Sequence, residues 1–164
     1  MKKFALLFST ILFFAFASNA QPIEEGESQV NVGIGLSTYG LPFYGGIEFG
    51  VAENISVGGE FSYRKWGKYS VYSPSIITIA GIGNYHFNEL FDVPPEYDIY
   101  AGLSLGYSIW SDNDRYSYSW FRGSGVYFTG QVGARYFVSD NFAINVEFGG
   151  GTYSGGKLGV TFKI

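Results

Sequence analysis

The sequence predicts an all-β chain: an eight-stranded antiparallel up-and-down transmembrane β-barrel with its apolar side chains turned outward. Three observations carry this. Apolar and polar residues alternate with period two in eight successive segments. One face of every segment is bulky and uncharged, and the other is dominated by Gly, Ser, Thr and Asn. After residue 20 no apolar run is long enough for a membrane helix. Composition bounds the rest. The 164 residues suit one domain, and 20 % aromatic with 15 % charged residues excludes a disordered chain. The absence of Cys removes disulfides and thiolate metal sites, and no motif calls for a metal or other cofactor. A net charge of -4 argues against a nucleic-acid partner.

Lys2 and Lys3 precede an apolar run, Phe4 to Ala17, broken only by Ser9 and Thr10. Ser18-Asn19-Ala20 then offers a small-x-small cleavage site. This is the three-part pattern of a secretory signal peptide over 1–20, too short for a span of about 20 residues. Its removal leaves 164 − 20 = 144 residues, starting at Gln21-Pro22. Eight of the ten basic residues then face fourteen acidic ones, a charge of -6. No Cys follows the site to carry a lipid. A short N-terminal segment, 21–28, leads into the barrel domain, 29–164.

The first strand, 29–38, alternates Val30, Val32, Ile34 and Leu36 with Asn31, Gly33, Gly35 and Ser37. Gly40-Leu41-Pro42 turns it into 43–51, where Phe43, Ile47, Phe49 and Val51 oppose Glu48. Ala52-Glu53-Asn54 opens 55–64, with Ile55, Val57, Phe61 and Tyr63 against Ser56, Glu60, Ser62 and Arg64. The fourth strand, 76–87, sets Ile77, Ile79, Tyr85 and Phe87 against Thr78 and Asn84. Pro94-Pro95 and Glu96 precede 97–110, where Ile99, Leu103, Leu105, Tyr107 and Ile109 alternate with Gly102, Ser104, Gly106 and Ser108. Strand six, 125–137, opposes Val126, Phe128, Val132 and Tyr136 to Thr129, Gln131, Gly133 and Arg135. Ser139-Asp140-Asn141 leads to 142–149, with Phe142, Ile144, Val146 and Phe148 against Asn145, Glu147 and Gly149. Ser154-Gly155-Gly156 leads to 157–164, with Leu158, Val160, Phe162 and Ile164 against Gly159, Thr161 and Lys163.

A soluble lipocalin-like barrel would point the apolar face inward, and a membrane barrel points it at lipid. The polar face decides. A water-exposed surface is rich in Lys, Glu, Asp and Arg, whereas this one is mostly small. Small residues fit the crowded interior of eight strands, and the Phe, Tyr, Ile and Leu of the other face are too bulky for it. An even strand count returns both chain ends to the periplasmic side. Tyr63, Trp66, Tyr107 and Trp110 are expected in an outer aromatic belt, and Tyr85, Phe87, Tyr97, Tyr136 and Phe142 in an inner one.

The stretch Gly130-Gln-Val-Gly-Ala-Arg-Tyr-Phe-Val-Ser-Asp-Asn-Phe-Ala-Ile-Asn-Val-Glu-Phe-Gly149 resembles the penultimate hairpin of small bacterial outer-membrane barrels of the OmpA/OmpX-like superfamily. Leu158-Gly-Val-Thr-Phe-Lys-Ile164 resembles their C-terminal strand. The likeness runs over roughly 28–164, as pattern more than identity. It implies residence in the outer membrane of a Gram-negative cell, surrounded by outer-membrane lipid. It also implies delivery by the barrel assembly machinery, which reads that last strand in the family. Two features depart from the pattern: the chain ends in Ile164 where many members end in Phe, and the 88–96 connection is long for a periplasmic turn. No peptidoglycan-binding domain follows in this sequence, so a cell-wall tether is not implied.

Glu48, Glu60 and Glu147 are expected to face Arg64, Arg135 and Lys163 across the lumen, because buried charges need partners. They form a polar plug in a filled barrel. A narrow path for ions or small solutes is the alternative. His86, the one histidine, falls at the inner end of strand four. Outer-membrane lipid-modifying enzymes use such a residue, but that end is wrong for the outer leaflet, so a structural interfacial role is expected and no catalytic residue is assigned. Asp112-Asn113-Asp114 lacks the downstream Gly and Glu of a calcium loop and is taken as a loop tip. Loop 65–75 carries Lys65, Trp66, Lys68, Tyr69 and Tyr72, and loop 111–124 carries Arg115, Tyr116, Tyr118, Trp120, Phe121 and Arg122. Tyr, Trp and Arg are interface anchors, so these loops are the candidate contacts for an extracellular ligand or host surface. The expectation is a monomeric, non-enzymatic structural or adhesion protein at the cell surface. A narrow channel, a lipid-modifying enzyme and a soluble lipocalin-like carrier stand as alternatives.

Overall fold

The computed structural model describes residues 23–37, 40–65, 75–111 and 124–164. Eight strands follow in order: β1 (Ser28–Ser37), β2 (Phe43–Ala52), β3 (Ile55–Lys65), β4 (Ser75–His86), β5 (Tyr97–Ser111), β6 (Gly125–Ser139), β7 (Phe142–Gly151) and β8 (Gly155–Lys163). Each pairs antiparallel with the next, and β8 returns to β1, from Gln29 opposite Lys163 to Ser37 opposite Gly155. The barrel is therefore closed. Closure leaves no unpaired sheet edge, which a strand surrounded by lipid could not tolerate.

One end of the barrel carries Ile23, Ile164 and the connections 53–54, 87–96 and 140–141; we call it the terminal end. The two short turns follow β-bulges, at Gly50/Ala52 and at Phe137/Ser139. The opposite, loop end carries 38–42, 66–74, 112–124 and 152–154.

Strand eight starts at Gly155, two residues earlier than the alternation suggests, so Gly155 and Gly156 are not turn residues. Gly155 lies so close to the β1 backbone that a Cβ there would overlap the Leu36 carbonyl. Close strand approach demands this glycine.

The two faces separate cleanly. Along β5, Leu103 is 58 % exposed and its neighbour Ser104 only 2 %. The apolar side chains look out and the polar ones line the lumen. A lipocalin-like carrier has the opposite arrangement, so that alternative falls. On the outside, Tyr97 pairs with Tyr136 at the terminal end, ring centroids 5.1 Å apart. Tyr107 and Tyr63 lie exposed toward the loop end. Ten residues separate Tyr97 from Tyr107 along β5. At about 3.3 Å each and a tilt of about 40°, that is an apolar band about 25 Å tall, the height of an outer-membrane barrel's. Trp110 is a correction: it turns into the barrel mouth against Ala80, Tyr127 and Tyr153, and its indole N–H donates to Tyr153 Oη at 3.1 Å. It is not part of the outer belt. The half-buried indole finds a hydrogen-bond partner there that an outer position would not supply. Trp66 lies outside the described residues.

Leu103→Arg is expected to cost about 2–4 kcal/mol in urea unfolding from lipid vesicles, as a cation at mid-bilayer should. Two glycines test the faces against each other. A Cβ at Gly102 would overlap the Asn84 side chain and the Gly83 carbonyl, whereas one at Gly83 meets nothing within 4 Å. Gly102→Leu should destabilise by about 1–3 kcal/mol, and Gly83→Ala should be neutral or stabilise by up to about 1 kcal/mol.

Candidate functional site

The alternation of β2 turns Glu48 into the lumen, where it is 2 % exposed. Its carboxylate accepts four hydrogen bonds. Oε1 takes Asn31 Nδ2 at 2.6 Å and Arg135 Nη2 at 2.5 Å. Oε2 takes Ser56 Oγ at 2.9 Å and Asn84 Nδ2 at 3.0 Å. Arg135 gives its other terminal nitrogen to Asp98 Oδ2 at 2.7 Å. Asn31 accepts from Thr161 at 2.6 Å, and Thr161 accepts from Asn145 at 2.9 Å. Asn84 accepts from Gln131 at 3.0 Å, and Gln131 from Ser104 at 2.7 Å. Every one of the eight strands contributes a side chain to this network.

A second cluster lies nearer the loop end. Lys157 Nζ contacts Glu60 at 2.7 Å and Glu147 at 2.9 Å. Two tyrosines join the clusters. Tyr100 carries the Arg135 guanidinium 4.2 Å from its ring centroid and donates to Glu147 at 3.1 Å. Tyr44 carries Lys157 at 5.1 Å and donates to Asn145 at 2.8 Å. Tyr100 lies flat on the wall only because position 133 is Gly; a Cβ there would overlap its ring. Between the clusters a cavity of about 20 Å³ is lined by Tyr44, Glu48, Glu60, Tyr100, Arg135 and Glu147 among others. That is room for about one water.

The sequence left the pairing of the lumen charges open; in the structure Glu48 meets Arg135. Glu60 and Glu147 share Lys157, which the sequence pattern did not single out. Arg64 reaches Ser37 Oγ at 3.0 Å and lies over Tyr153, 4.5 Å from its centroid, at the loop end. Lys163 bonds Glu27 at 2.8 Å at the terminal end. The physical reason is axial level. Alternation assigns a residue to a face but not to a height, and Arg64 and Lys163 sit at opposite mouths. The loop residues Trp66, Tyr69, Tyr72, Arg115, Tyr116, Tyr118, Trp120 and Phe121, with Asp112-Asn113-Asp114, lie outside the described residues.

His86 is buried in the lumen, not at the interface. Its Nδ1 is 2.7 Å from Asp98 and its Nε2 is 2.9 Å from Ser56 Oγ. This is the bond order of a serine-hydrolase triad. Yet the Ser56 hydroxyl points its proton at Glu48, and Ser56 has no exposed surface. The arrangement satisfies buried charge and offers no opening for a substrate. Of Ser56, Asp98 and Lys157, the sequence reading placed only Ser56 on the polar face.

No family model and no curated protein sequence matches the chain. Solved structures do match its architecture. OprG of Pseudomonas aeruginosa superposes with a TM-score of 0.64 at 10 % identity, over 90 % of this chain and 99 % of that one. The chain has the fold of the small bacterial outer-membrane barrels. Neisserial surface protein A gives 0.60 at 15 % identity, over 84 % and 95 %. Ail, the attachment invasion locus protein of Yersinia pestis, solved with the heparin analogue sucrose octasulfate, gives 0.56 at 15 %, over 85 % and 99 %.

Glu48→Ala removes the acceptor of four hydrogen bonds, leaving the Asn31, Ser56 and Asn84 donors without it and Arg135 with Asp98 alone. It is expected to cost about 3–5 kcal/mol in vesicle unfolding. Glu60→Ala should cost less, because Glu60 is less buried and accepts only from Lys157, which keeps Glu147. At the terminal end, partial burial works to raise the Glu27 carboxyl, but Lys163 and the Glu24 N–H outweigh it and hold it below 4.5. A lowered folded value stabilises above the unfolded one, and that contribution disappears as pH falls through the folded value. The pair is partly exposed, so the loss below about pH 4.5 should stay under about 1 kcal/mol and vanish in Glu27→Gln.

Proposed function

We propose that residues 1–20 export the chain and that it folds in the outer membrane of a Gram-negative bacterium as a non-enzymatic, plugged barrel. Its role is structural or adhesive and lies in what its loop end displays. The observation that carries this is the Glu48 network: it ties all eight strands together, and the cavity between it and the Lys157 cluster has room for about one water. A lumen so filled supports display over transport. The loops 65–75 and 111–124 supply the aromatic and basic residue types that anchor interfaces and stack on sugars. Lys65 and Lys68 make loop 65–75 net positive in an acidic chain, while Arg115 and Arg122 share loop 111–124 with Asp112 and Asp114. Sulfated saccharide is therefore the first partner class to test, and Ail's complex with sucrose octasulfate gives the probe.

Binding of sucrose octasulfate to the vesicle-embedded protein should be measurable by titration calorimetry, and should weaken at least tenfold in Lys68→Ala/Arg115→Ala/Arg122→Ala with thermal stability unchanged. Unchanged binding sinks the saccharide assignment. The polar lumen favours a narrow channel as the second reading. Planar bilayers decide: the plugged barrel gives no conductance steps, and reproducible steps would replace it with the channel.

A further inference from the structure

The 87–96 connection is a built object. Asn88 clamps its neck: its side-chain amide donates to the Tyr97 carbonyl, and its Oδ1 accepts from Ile99 N–H at 3.1 Å. Inside the loop, Phe91 N–H bonds the Phe87 carbonyl at 3.1 Å and Val93 N–H bonds the Asn88 carbonyl at 2.9 Å. Glu96 is fixed to β6 through Phe137 N–H at 2.7 Å. This rigid loop presents Leu90 and Phe91, which are 66 % and 64 % exposed. A turn in water carries polar residues at its tip, so two exposed apolar side chains need a cause.

The rings supply one. Tyr85 belongs to the outward face of the barrel wall and is exposed. Phe87 meets it edge-on at 5.0 Å, and Phe91 stacks on Phe87 at 5.8 Å. The apolar surface is thus continuous from wall to loop, in two ring steps. Beyond the hydrocarbon core a bilayer has about 5–7 Å of headgroup region on each side, which is about one such step. The loop also carries Glu89, Asp92 and Glu96 and no Lys or Arg, a charge pattern that anionic headgroups repel.

We propose that 87–96 is an interfacial anchor: Leu90 and Phe91 seat in the phospholipid leaflet at the terminal end of the barrel, among zwitterionic headgroups. This rests on the membrane-barrel reading above. It accounts for a connection longer than a turn needs to be, and it fixes the depth of the barrel from that side. The other occupant such a surface could take, a protein partner in the aqueous compartment, leaves the two side chains in water when the barrel is alone in lipid.

The absence of cysteine makes the test direct. Leu90→Cys, Leu103→Cys and Glu53→Cys are each labelled with nitrobenzoxadiazole and refolded into phosphatidylcholine vesicles. The label at 90 should be quenched more by lipid brominated near the headgroup end of its chains than by lipid brominated near their ends. The label at 103 should show the reverse order. The label at 53 should respond only to aqueous acrylamide. A label at 90 that behaves like 53, while 103 is quenched by lipid, overturns the anchor and leaves the barrel standing. Failure of lipid quenching at 103 as well overturns both. Exchange of part of the phosphatidylcholine for phosphatidylglycerol should reduce quenching at 90, and unchanged or rising quenching overturns the zwitterionic assignment.

Discussion

The structure depends on one carboxylate. Glu48 sits where no bulk water reaches, and an ion in such a place is stable only with its charge and lone pairs matched. Four donors, from β1, β3, β4 and β6, meet that demand. The backbone ladder joins each strand only to its two neighbours, whereas the Glu48 network reaches across the lumen. It fixes the barrel's cross-section as well as its circumference. Arg135 is the second half of the constraint. It spans Glu48 and Asp98 and is covered by the Tyr100 ring, which leaves the guanidinium wedged between two acids and an aromatic face.

The glycines follow from that filling. An eight-stranded barrel is just wide enough for side chains to pack its interior. Two tyrosines, an arginine and a lysine in that space need wall positions with no side chain of their own. Gly133 makes room for Tyr100, and Gly33 with Gly159 makes room for Tyr44. Glycine on the lumen face is thus the complement of the large bridging residues. The outward glycine at 83 has no such neighbour. The same residue type therefore records crowding on one face and open space on the other.

Strand count, order and facing were legible because a membrane barrel must alternate strictly, and one slip would put charge into lipid. The lumen was legible only as a set of polar positions. Glu48 and Arg135 stand 87 residues apart, and their meeting depends on shear and register, which alternation does not encode. Lys157 escaped notice because it stood as the first residue of the expected last strand, where alternation says least about facing. Trp110 and the lumen tyrosines were hidden for another reason. An aromatic residue near a strand end reads equally as belt or as mouth, and only the 3.1 Å bond from Trp110 to Tyr153 separates the two.

The Ser56–His86–Asp98 chain shows why composition and even bond order do not make a catalyst. A triad needs its serine proton to travel to histidine and its oxygen to meet a substrate. Here the proton is held by Glu48 and the oxygen is enclosed. The same bonds that satisfy the buried charge fill this part of the lumen with side chains. The two ends of the barrel are unlike. The terminal end is closed by short turns, the Glu27–Lys163 pair and the clamped 87–96 loop. At the loop end the sequence has its long connections, 66–74 and 112–124. A lumen filled by paired charge, with short turns on one side and long connections on the other, gives the barrel two mouths of different chemistry.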